Sequence, residues 1–315
     1  MKGSGGNRLA WEQAPTRMRV VVEELAGSRV VEARDQSGGF SPGLAARLRL
    51  DDGRWVFAKA IAADVSETGA ALHRAEARIA GALPPDVPAP RLLGSYDDGQ
   101  LVALLFALVD GRQPHEPWRP DELGRVLDAM TVLATMLTPA PIQVPSLVDT
   151  FGGPRRWRDL AEAPADQDAV AAVSRWAVDH LATLTELESR WPSAAAGQTL
   201  LHCDVRADNV LLTEDDVVFV DWPHARVGAA YLDLLFMLPS AALHGVDPEA
   251  VAATHPLTRS VDPDDIDAVL ATIAAFFVFH SIEPPPPGLP TVRKFQRLQG
   301  AATVEWLARR LAARR

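Results

Sequence analysis

Residues 200–222 constrain the fold more than any other stretch of the chain, with the sequence Leu-Leu-His-Cys-Asp-Val-Arg-Ala-Asp-Asn-Val-Leu-Leu-Thr-Glu-Asp-Asp-Val-Val-Phe-Val-Asp-Trp. Two short apolar runs, 210–212 and 217–220, flank the polar turn 213–216. Apolar runs of this length around a polar turn predict two short strands and a tight connection. The stretch therefore predicts a small β-hairpin.

The predicted hairpin brings polar side chains to one of its ends: His202, Asp204, Asn209 and Asp221. Charged groups removed from water need a partner, and for grouped oxygen ligands a divalent cation is the usual one. The spacing His-x-Asp-x-x-x-x-Asn, followed twelve residues later by Asp at a strand end, is typical of a catalytic loop for phosphoryl transfer.

These residues resemble the protein-kinase-like superfamily and, within it, the aminoglycoside phosphotransferase family of small-molecule kinases. The chain has Asp-Trp at 221–222 where protein kinases have Asp-Phe-Gly, and this favours the small-molecule branch. The family usually has His-Gly-Asp in the loop, and Cys203 stands here in the glycine position. The single cysteine of the chain is either a small buried residue, which we expect, or a reactive thiol.

The resemblance implies a role for each loop residue. Asp204 would accept the proton of the attacking hydroxyl group, and Arg206 would neutralise charge on the transferred phosphoryl group. His202 would hold the loop in shape. The side-chain oxygens of Asn209 and Asp221 would bind the Mg²⁺ that accompanies a nucleoside triphosphate.

The N-terminal part predicts a helix at 15–26, a strand at 28–36, a glycine-containing turn and a second strand. Strand, glycine-rich turn and strand resemble the loop that covers nucleotide phosphates in kinases, which assigns Gly38, Gly39, Phe40 and Ser41 to the nucleotide site. The segment Gly-Phe-Ser-Pro-Gly also matches the Gly-x-Ser-x-Gly pattern of serine hydrolases. We reject that alternative, because Pro42 lacks the backbone N–H that the oxyanion hole needs.

Two charged residues lie on predicted apolar faces. Lys59 alternates with apolar residues in a strand at 54–61, and Glu76 lies in the apolar stripe of a helix at 67–83. They resemble the lysine–glutamate pair that positions nucleotide phosphates in kinases. The alternatives are an edge-strand lysine that prevents aggregation and a glutamate that reaches solvent or binds Arg74 or Arg78.

Two more strands, at 91–96 and 100–108, complete a predicted five-stranded small lobe. The resemblance places an adenine-binding hinge at the end of the last strand, with backbone contacts from Ala107 and Val109 and with Phe106 lining the pocket.

The rest of the chain predicts helices at 121–137, 166–190, 229–243, 263–281 and 290–313, and an irregular stretch at 151–164. Asp233 resembles a buried aspartate that braces the catalytic loop. The expected fold class is α+β, a bilobal protein-kinase-like fold with ATP between the lobes. Its small lobe has a five-stranded antiparallel sheet and one main helix, and its larger lobe is mainly helical and carries the catalytic hairpin.

We expect a flexible N-terminus over residues 1–14, a nucleotide-covering lobe over 15–109 and a catalytic lobe over 110–315. With 48% hydrophobic and 23% charged residues, the 315-residue chain has a globular composition. Its formal net charge of −10 argues against nucleic acid as a partner and favours a cationic substrate. Its longest apolar runs are too short to span a bilayer. One cysteine and no signal-peptide pattern predict a cytoplasmic protein. We expect a monomer or weak dimer.

The expected activity is phosphorylation of a small-molecule hydroxyl group with ATP (or another nucleoside triphosphate) and Mg²⁺, the acceptor being an aminoglycoside or a related antibiotic. The chain ends in Leu-Ala-Ala-Arg-Arg, whereas some aminoglycoside kinases use a C-terminal aromatic residue's carboxylate to bind the substrate. A kinase of choline, homoserine or sugars is therefore an alternative. A nucleotide sensor without catalysis is an alternative from another class, although every residue that catalysis needs is present.

Overall fold

The computed structural model describes residues 8–36, 42–151, 156–162, 164–286 and 289–314. Backbone contacts divide the chain into two compact units. The first unit contains the described residues of Met1–Pro114, Ala207–His224 and Pro286–Pro290. The second unit contains those of His115–Arg206, Ala225–Pro285 and Thr291–Arg315.

The first unit contains an antiparallel sheet of five strands, in the order β1-β2-β3-β5-β4. Its strands are β1 (Val30–Asp35), β2 (Leu44–Leu50), β3 (Trp55–Ala62), β4 (Leu92–Asp97) and β5 (Leu101–Ala107). The five-stranded sheet predicted from the sequence is confirmed.

Two helices pack against this sheet, α1 (Thr16–Ala26) and α2 (Glu67–Ala80). The alternation of side chains along β3 separates two buried groups. Val56, Ala58 and Ala60 belong to the core that includes α1, whereas Ile61 packs with Ala70 of α2. Successive residues of a strand point to opposite faces, so Lys59, two residues before Ile61, shares the face that carries α2.

Residues 8–14, which the sequence analysis assigns to a flexible N-terminus, contribute to the same core. Trp11 and Ala14 are 5% and 4% exposed, and Trp11 begins a short 3₁₀-helix, Trp11–Gln13. The Trp11 backbone N–H donates to Asp35 Oδ1 at 2.9 Å. This segment is therefore attached to the end of β1.

The second unit is mainly helical, and the helices that follow α2 in the chain lie in it: α3 (Pro120–Met136), α4 (Leu147–Phe151), α5 (Arg156–Glu162), α6 (Gln167–Ala171), α7 (Arg175–Asp179), α8 (Leu181–Ser189), α9 (Trp191–Ala195), α10 (Leu232–Ala242), α11 (Pro248–Thr254), α12 (Pro263–Ile282) and α13 (Val292–Ala313). It also contains a two-stranded sheet of β6 (Thr199–Leu201) and β9 (Arg226–Gly228). The predicted hairpin consists of β7 (Val210–Leu212) and β8 (Val217–Phe219). The sequence analysis expects it in the larger lobe, but its backbone contacts group it with the first unit, because Leu212 bridges Arg112 and the Phe219 N–H donates to the Pro88 carbonyl at 2.8 Å.

The central helix of the second unit is α12, which packs against α8, α9 and α13. Among the described helices it alone has the length and hydropathy of a membrane span, but 61% of its apolar window is buried within the protein. Because α12 is covered by other helices on several sides, it is apolar around its whole circumference, and this accounts for its hydropathy.

The structure differs from the sequence analysis between α4 and α9. The single helix predicted at 166–190 is wrong, because the chain forms α6, α7 and α8 there. Ser174 has extended backbone angles, and its hydroxyl group accepts the Ala177 N–H, which begins a new helix. The irregular stretch predicted at 151–164 contains α5, whose Trp157 and Leu160 are buried three residues apart.

Candidate active site

The loop His202–Arg206 follows β6 in the second unit and is anchored by a buried aspartate. Asp233, in the first turn of α10, accepts the His202 N–H at 2.8 Å and the Cys203 N–H at 2.7 Å. Burial raises the pKa of Asp233 to about 6, although both hydrogen bonds act to lower it. Asp233 therefore braces the loop through its backbone, as the resemblance implies.

Cys203 adopts a left-handed backbone conformation, with φ at +65°. This conformation costs a residue with a side chain about 1–2 kcal/mol, which explains why glycine is usual at this position in the family. Burial, followed by repulsion from Asp233, raises the pKa of the Cys203 thiol well above its ordinary value. Cys203 is half-buried rather than fully buried, but a thiol that stays protonated is a poor nucleophile, so the structure does not favour a reactive thiol.

The predicted base, Asp204, forms hydrogen bonds with both His202 and Arg206, the loop residues that the sequence analysis grouped with it. Its backbone N–H donates to Nδ1 of the fully buried His202 at 3.2 Å, and its Oδ1 accepts from Arg206 Nη1 at 2.6 Å. The Arg206 guanidinium carbon lies 5.2 Å from the centre of the Phe295 ring, in cation–π contact. Arg206 is thus held on the Asp204 carboxylate by a ring from α13.

The hairpin of the first unit fixes the two predicted metal ligands. Asn209 ends the 3₁₀-helix Ala207–Asn209, is 5% exposed, and its carbonyl accepts the Val220 N–H at 2.9 Å. Asp221 follows β8 with φ at +72°, a conformation in which aspartate is enriched among residues other than glycine. Its side chain is 42% exposed.

Lys59 connects this hairpin to the sheet. Its Nζ donates to both carboxylate oxygens of Glu76, at 2.7 and 2.8 Å, and to Asp221 Oδ1 at 2.8 Å. Arg74, one of the alternative partners for Glu76, is excluded because it donates to Asp97 at 2.7 Å instead. Within the first unit the structure therefore joins Lys59, Glu76 and Asp221 in one cluster, here called the lysine cluster.

Burial and charge oppose each other in the lysine cluster. Burial alone would lower the pKa of Lys59, but attraction by Asp221 and Glu76 outweighs it and raises the pKa above its ordinary value. Burial raises the pKa of Glu76, Lys59 acts in the opposite direction, and repulsion from Asp221 adds to the rise. The cluster thus needs the lysine cation to keep two carboxylates together.

The predicted hinge lies at the end of β5. Phe106 is 4% exposed, and its ring centre lies 6.0 Å from Lys59 Nζ. The Ala107 N–H donates to the Arg91 carbonyl at 2.9 Å, and the Val109 carbonyl accepts the Gly111 N–H at 3.1 Å.

The predicted phosphate-covering loop lies outside the described residues, since Gly38, Gly39, Phe40 and Ser41 all fall between β1 and Pro42. The described end of this connection is tightly packed. A Cβ atom on Gly43 would approach the Ala60 carbonyl oxygen to 2.5 Å, so only glycine fits where the chain enters β2.

Sequence reasoning missed two residues near the lysine cluster, Arg8 and His73. His73 lies one helical turn before Glu76 on α2, so the helix period could have placed it on the same side. No comparable signal exists for Arg8, because its place depends on a contact between the N-terminus and β2.

The basic C-terminus binds acidic residues of its own unit. Arg310 Nε donates to Oδ1 of the fully buried Asp267 at 2.6 Å, and Arg310 Nη1 contacts Glu249 at 2.7 Å. Arg314 contacts Asp264 and Asp267. These arginines therefore hold α13 against α11 and α12.

A sequence model of the phosphotransferase enzyme family (APH) matches residues 37–255 of the 315. A search of curated protein sequences finds no significant match. The family match covers strands β2–β5 of the sheet, the lysine cluster, the catalytic loop and the hairpin.

Solved structures share the fold at low sequence identity. A thermostable mutant of aminoglycoside phosphotransferase APH(4)-Ia, in ternary complex with ADP and hygromycin B, has a TM-score of 0.61 and 17% identity, over 92% of this chain and 99% of that chain. The GDP and kanamycin complex of APH(2")-IIia has a TM-score of 0.56 and 14% identity, over 95% and 98%. A choline/ethanolamine kinase family protein from Mesorhizobium loti has a TM-score of 0.55 and 17% identity, over 90% and 92%.

Proposed function

Because the chain belongs to the phosphotransferase enzyme family, and is therefore an ATP-dependent small-molecule phosphotransferase, we propose that it uses Mg²⁺-bound ATP to phosphorylate a hydroxyl group of an aminoglycoside or a related hydroxylated antibiotic. The lysine cluster carries this proposal. It joins a strand lysine, a helix glutamate and the aspartate that ends the hairpin, from three separate parts of the sequence, at distances of 2.7–2.8 Å.

The first unit supplies the nucleotide contacts. Lys59, held in place by Glu76, is suited to bind the α- and β-phosphates. Phe106 would pack against the adenine, and the backbone of Ala107 and Val109 would hydrogen-bond to it. The connection that ends at Gly43 would cover the phosphates.

The hairpin residues fit a magnesium ion. Asn209 and Asp221 offer amide and carboxylate oxygens, the hard ligands that Mg²⁺ prefers, and the exposed part of Asp221 is open to an ion from solvent. Within the described ranges, no group of three His, Cys, Asp or Glu side chains could hold a metal ion. Two protein ligands suffice for magnesium in nucleotide sites, where phosphate oxygens and water complete the shell. Bound magnesium would neutralise charge on the phosphates.

The second unit supplies the base. Asp204 would accept the proton of the acceptor hydroxyl group as the phosphoryl group is transferred. Arg206 keeps this carboxylate in one orientation through its 2.6 Å contact with Asp204 Oδ1. His202 and Asp233 fix the backbone that presents Asp204.

The choice of acceptor rests on two observations. Structures with this fold have been solved with hygromycin B and with kanamycin, and the net charge of −10 attracts polycations. An antibiotic acceptor would make the chain a resistance enzyme of the cytoplasm. Choline, homoserine and sugars remain the alternative acceptors, since the fold also occurs in the choline/ethanolamine kinase family.

The test is ATP consumption with a panel of hydroxylated compounds: hygromycin B, kanamycin, a macrolide, choline, homoserine and fructosamine. We expect ADP release that depends on Mg²⁺ and on an antibiotic acceptor. Nucleotide binding without turnover on any acceptor would support the sensor alternative instead. Turnover on choline alone would support the phosphotransferase activity but would show that the acceptor is choline and not an antibiotic.

A matched pair of variants tests the metal assignment. Asp221→Ala should abolish Mg²⁺-dependent ATP binding, because the metal joins carboxylate to phosphate. Asp215→Ala removes an exposed carboxylate from the turn of the same hairpin and should bind like the wild type. Equal binding by the wild type and Asp221→Ala would show that Asp221 is misassigned.

A further inference from the structure

The N-terminal segment is attached to both strands that flank the predicted phosphate-covering loop. The Trp11 N–H binds Asp35, the last residue of β1. Leu9 forms a parallel bridge with Leu44, the first residue of β2, and its N–H lies 3.4 Å from the Gly43 carbonyl. Residues 9–11 therefore connect the two ends of the loop.

This attachment carries Arg8 to the lysine cluster. Leu44, which bridges Leu9, precedes Ala45, and Ala45 pairs directly with Lys59. Burial lowers the pKa of the Arg8 guanidinium, while attraction by Asp221 and then by Glu76 opposes the shift. Arginine stays protonated in proteins, so a second cation faces the two carboxylates that hold Lys59.

His73, one helical turn before Glu76 on α2, places a buried ring nitrogen beside the lysine cluster. Burial, with repulsion from Lys59 and Arg8, lowers the pKa of His73 to about 4, so its ring is neutral at pH 7. The ring atom Nε2 is buried and has no hydrogen-bond partner among the residues that the structure describes. Such atoms are rare in folded proteins, and they occur where a ligand, ion or water belongs.

The charges of the lysine cluster and of a bound nucleoside triphosphate indicate that a further cation is needed at this site. Lys59 contacts two carboxylates, Glu76 and Asp221, so its single charge is already compensated. A nucleoside triphosphate brings about four negative charges, and one magnesium ion neutralises only half of them. A guanidinium group binds phosphate oxygens in a two-pronged geometry that an ammonium group lacks.

We propose that Arg8 is a second phosphate-binding cation of the nucleotide site, delivered by the N-terminal segment and positioned by its attachment to both ends of the phosphate-covering loop. This inference rests on the proposed function, because it requires that the lysine cluster binds a nucleotide. It assigns a nucleotide contact to the N-terminal segment, in which the sequence contains no recognisable binding motif.

The experiment compares the affinities of ATP, ADP and AMP, in the presence of Mg²⁺, for the wild type, Arg8→Gln and Arg17→Gln by calorimetry. Arg17 is the control, because it is also N-terminal but is exposed and binds Gln100 and Asp98. We expect Arg8→Gln to weaken ATP about ten- to a hundredfold, ADP less, and AMP least. Arg17→Gln should match the wild type for all three.

The two proposals fail in different ways. A wild type that binds none of the nucleotides contradicts the proposed function itself. A wild type that binds ATP, with unchanged affinity in Arg8→Gln, overturns only the role of Arg8. Tighter ATP binding by Arg8→Gln also overturns it, because Arg8 would then compete with the nucleotide for the carboxylates.

Should Arg8→Gln fail to fold, Arg8→Lys decides the matter, because it keeps a cation beside the two carboxylates. It loses the two-pronged geometry, so ATP affinity should fall about three- to tenfold while AMP affinity stays unchanged. Equal ATP affinity in Arg8→Lys and the wild type would overturn the proposal.

Discussion

The Lys59 ammonium group donates to both carboxylate oxygens of Glu76, at 2.7 and 2.8 Å. Only 13% of the lysine side chain and 4% of the glutamate side chain are exposed. Such a pair is costly to break, because the remaining charge stays buried. The pair is also unequal, since Lys59 has a second partner in Asp221.

This inequality predicts an order of stabilities. Lys59→Met removes the ammonium group that contacts both carboxylates and should lower the unfolding free energy by about 3–5 kcal/mol. Glu76→Gln should cost less, because Lys59 keeps Asp221. In urea unfolding, the double variant should differ from the sum of the single variants by about 0.5–3 kcal/mol, and kcat/KM for ATP should be equally non-additive.

The Arg74–Asp97 pair is the control, since it also involves α2 but is exposed. Arg74→Met should cost less than about 1 kcal/mol. Simple additivity for Lys59 and Glu76, or equal costs for the two single variants, would contradict the cluster described above.

A second prediction concerns the left-handed backbone at Cys203. Glycine adopts this conformation without a steric cost, so Cys203→Gly should be about 1 kcal/mol more stable than Cys203→Ala, which keeps the strain and also loses the sulfur atom. Denaturant unfolding of the two variants measures the difference directly. An alanine variant at least as stable as the glycine variant would show that the conformation is not strained.

The third prediction concerns acid sensitivity. The folded protein holds His73 neutral down to a pKa of about 4, whereas the unfolded chain protonates it near 6.5, so the unfolded state binds the extra proton between these values. The stability contributed by neutral His73 is complete above pH 6.5 and is lost as the pH falls towards 4.

His73→Leu cannot take up that proton. Compared with the nucleotide-free wild type in chelator, the variant should therefore be relatively more stable at pH 4 than at pH 7, by about 3 kcal/mol. Unfolding free energies at both pH values give this comparison. Parallel curves for the two proteins would show that His73 has an ordinary pKa in the folded state.

The fourth prediction separates structure from substrate binding at the C-terminus. Arg310→Met removes the Nε contact to the fully buried Asp267 and should cost about 3 kcal/mol of stability, without changing ATP affinity of the folded protein. Arg175→Met breaks an exposed pair with Asp179 and should cost less than about 0.5 kcal/mol. Full stability in Arg310→Met, with a changed KM for the acceptor, would assign the tail to substrate binding.

Local pattern accounts for what could be predicted from the sequence. Lys59 was recognisable because a strand alternates, Glu76 because a helix repeats, and the hairpin because two apolar runs flank a polar turn. Each of these signals is contained in fewer than about two dozen residues. The five-stranded sheet follows from several such signals in succession.

The remainder depends on contacts between distant residues. The division at Ser174 follows from one hydroxyl group that caps a helix, in a stretch whose composition suits a single helix. Arg8 is placed by a bridge between Leu9 and Leu44, and neither residue indicates this in the sequence. The C-terminal arginines bind Asp267 across more than forty residues, so their structural role is visible only in the fold.

The central claim is that Asp204 acts on the acceptor while the first unit binds the nucleotide. Asp204→Asn keeps the shape of the side chain but cannot accept a proton at neutral pH. In the proposed function ATP is bound through Lys59, Asn209 and Asp221, so the ATP affinity of this variant should remain near the wild-type value.

The deciding measurement is the turnover number of Asp204→Asn with the acceptor identified in the panel, taken together with its ATP affinity by calorimetry. Loss of a positioned base should lower kcat about 10²- to 10⁴-fold with ATP binding intact. Wild-type turnover in this variant would contradict the assignment of the base, and lost ATP binding would assign Asp204 to the nucleotide site.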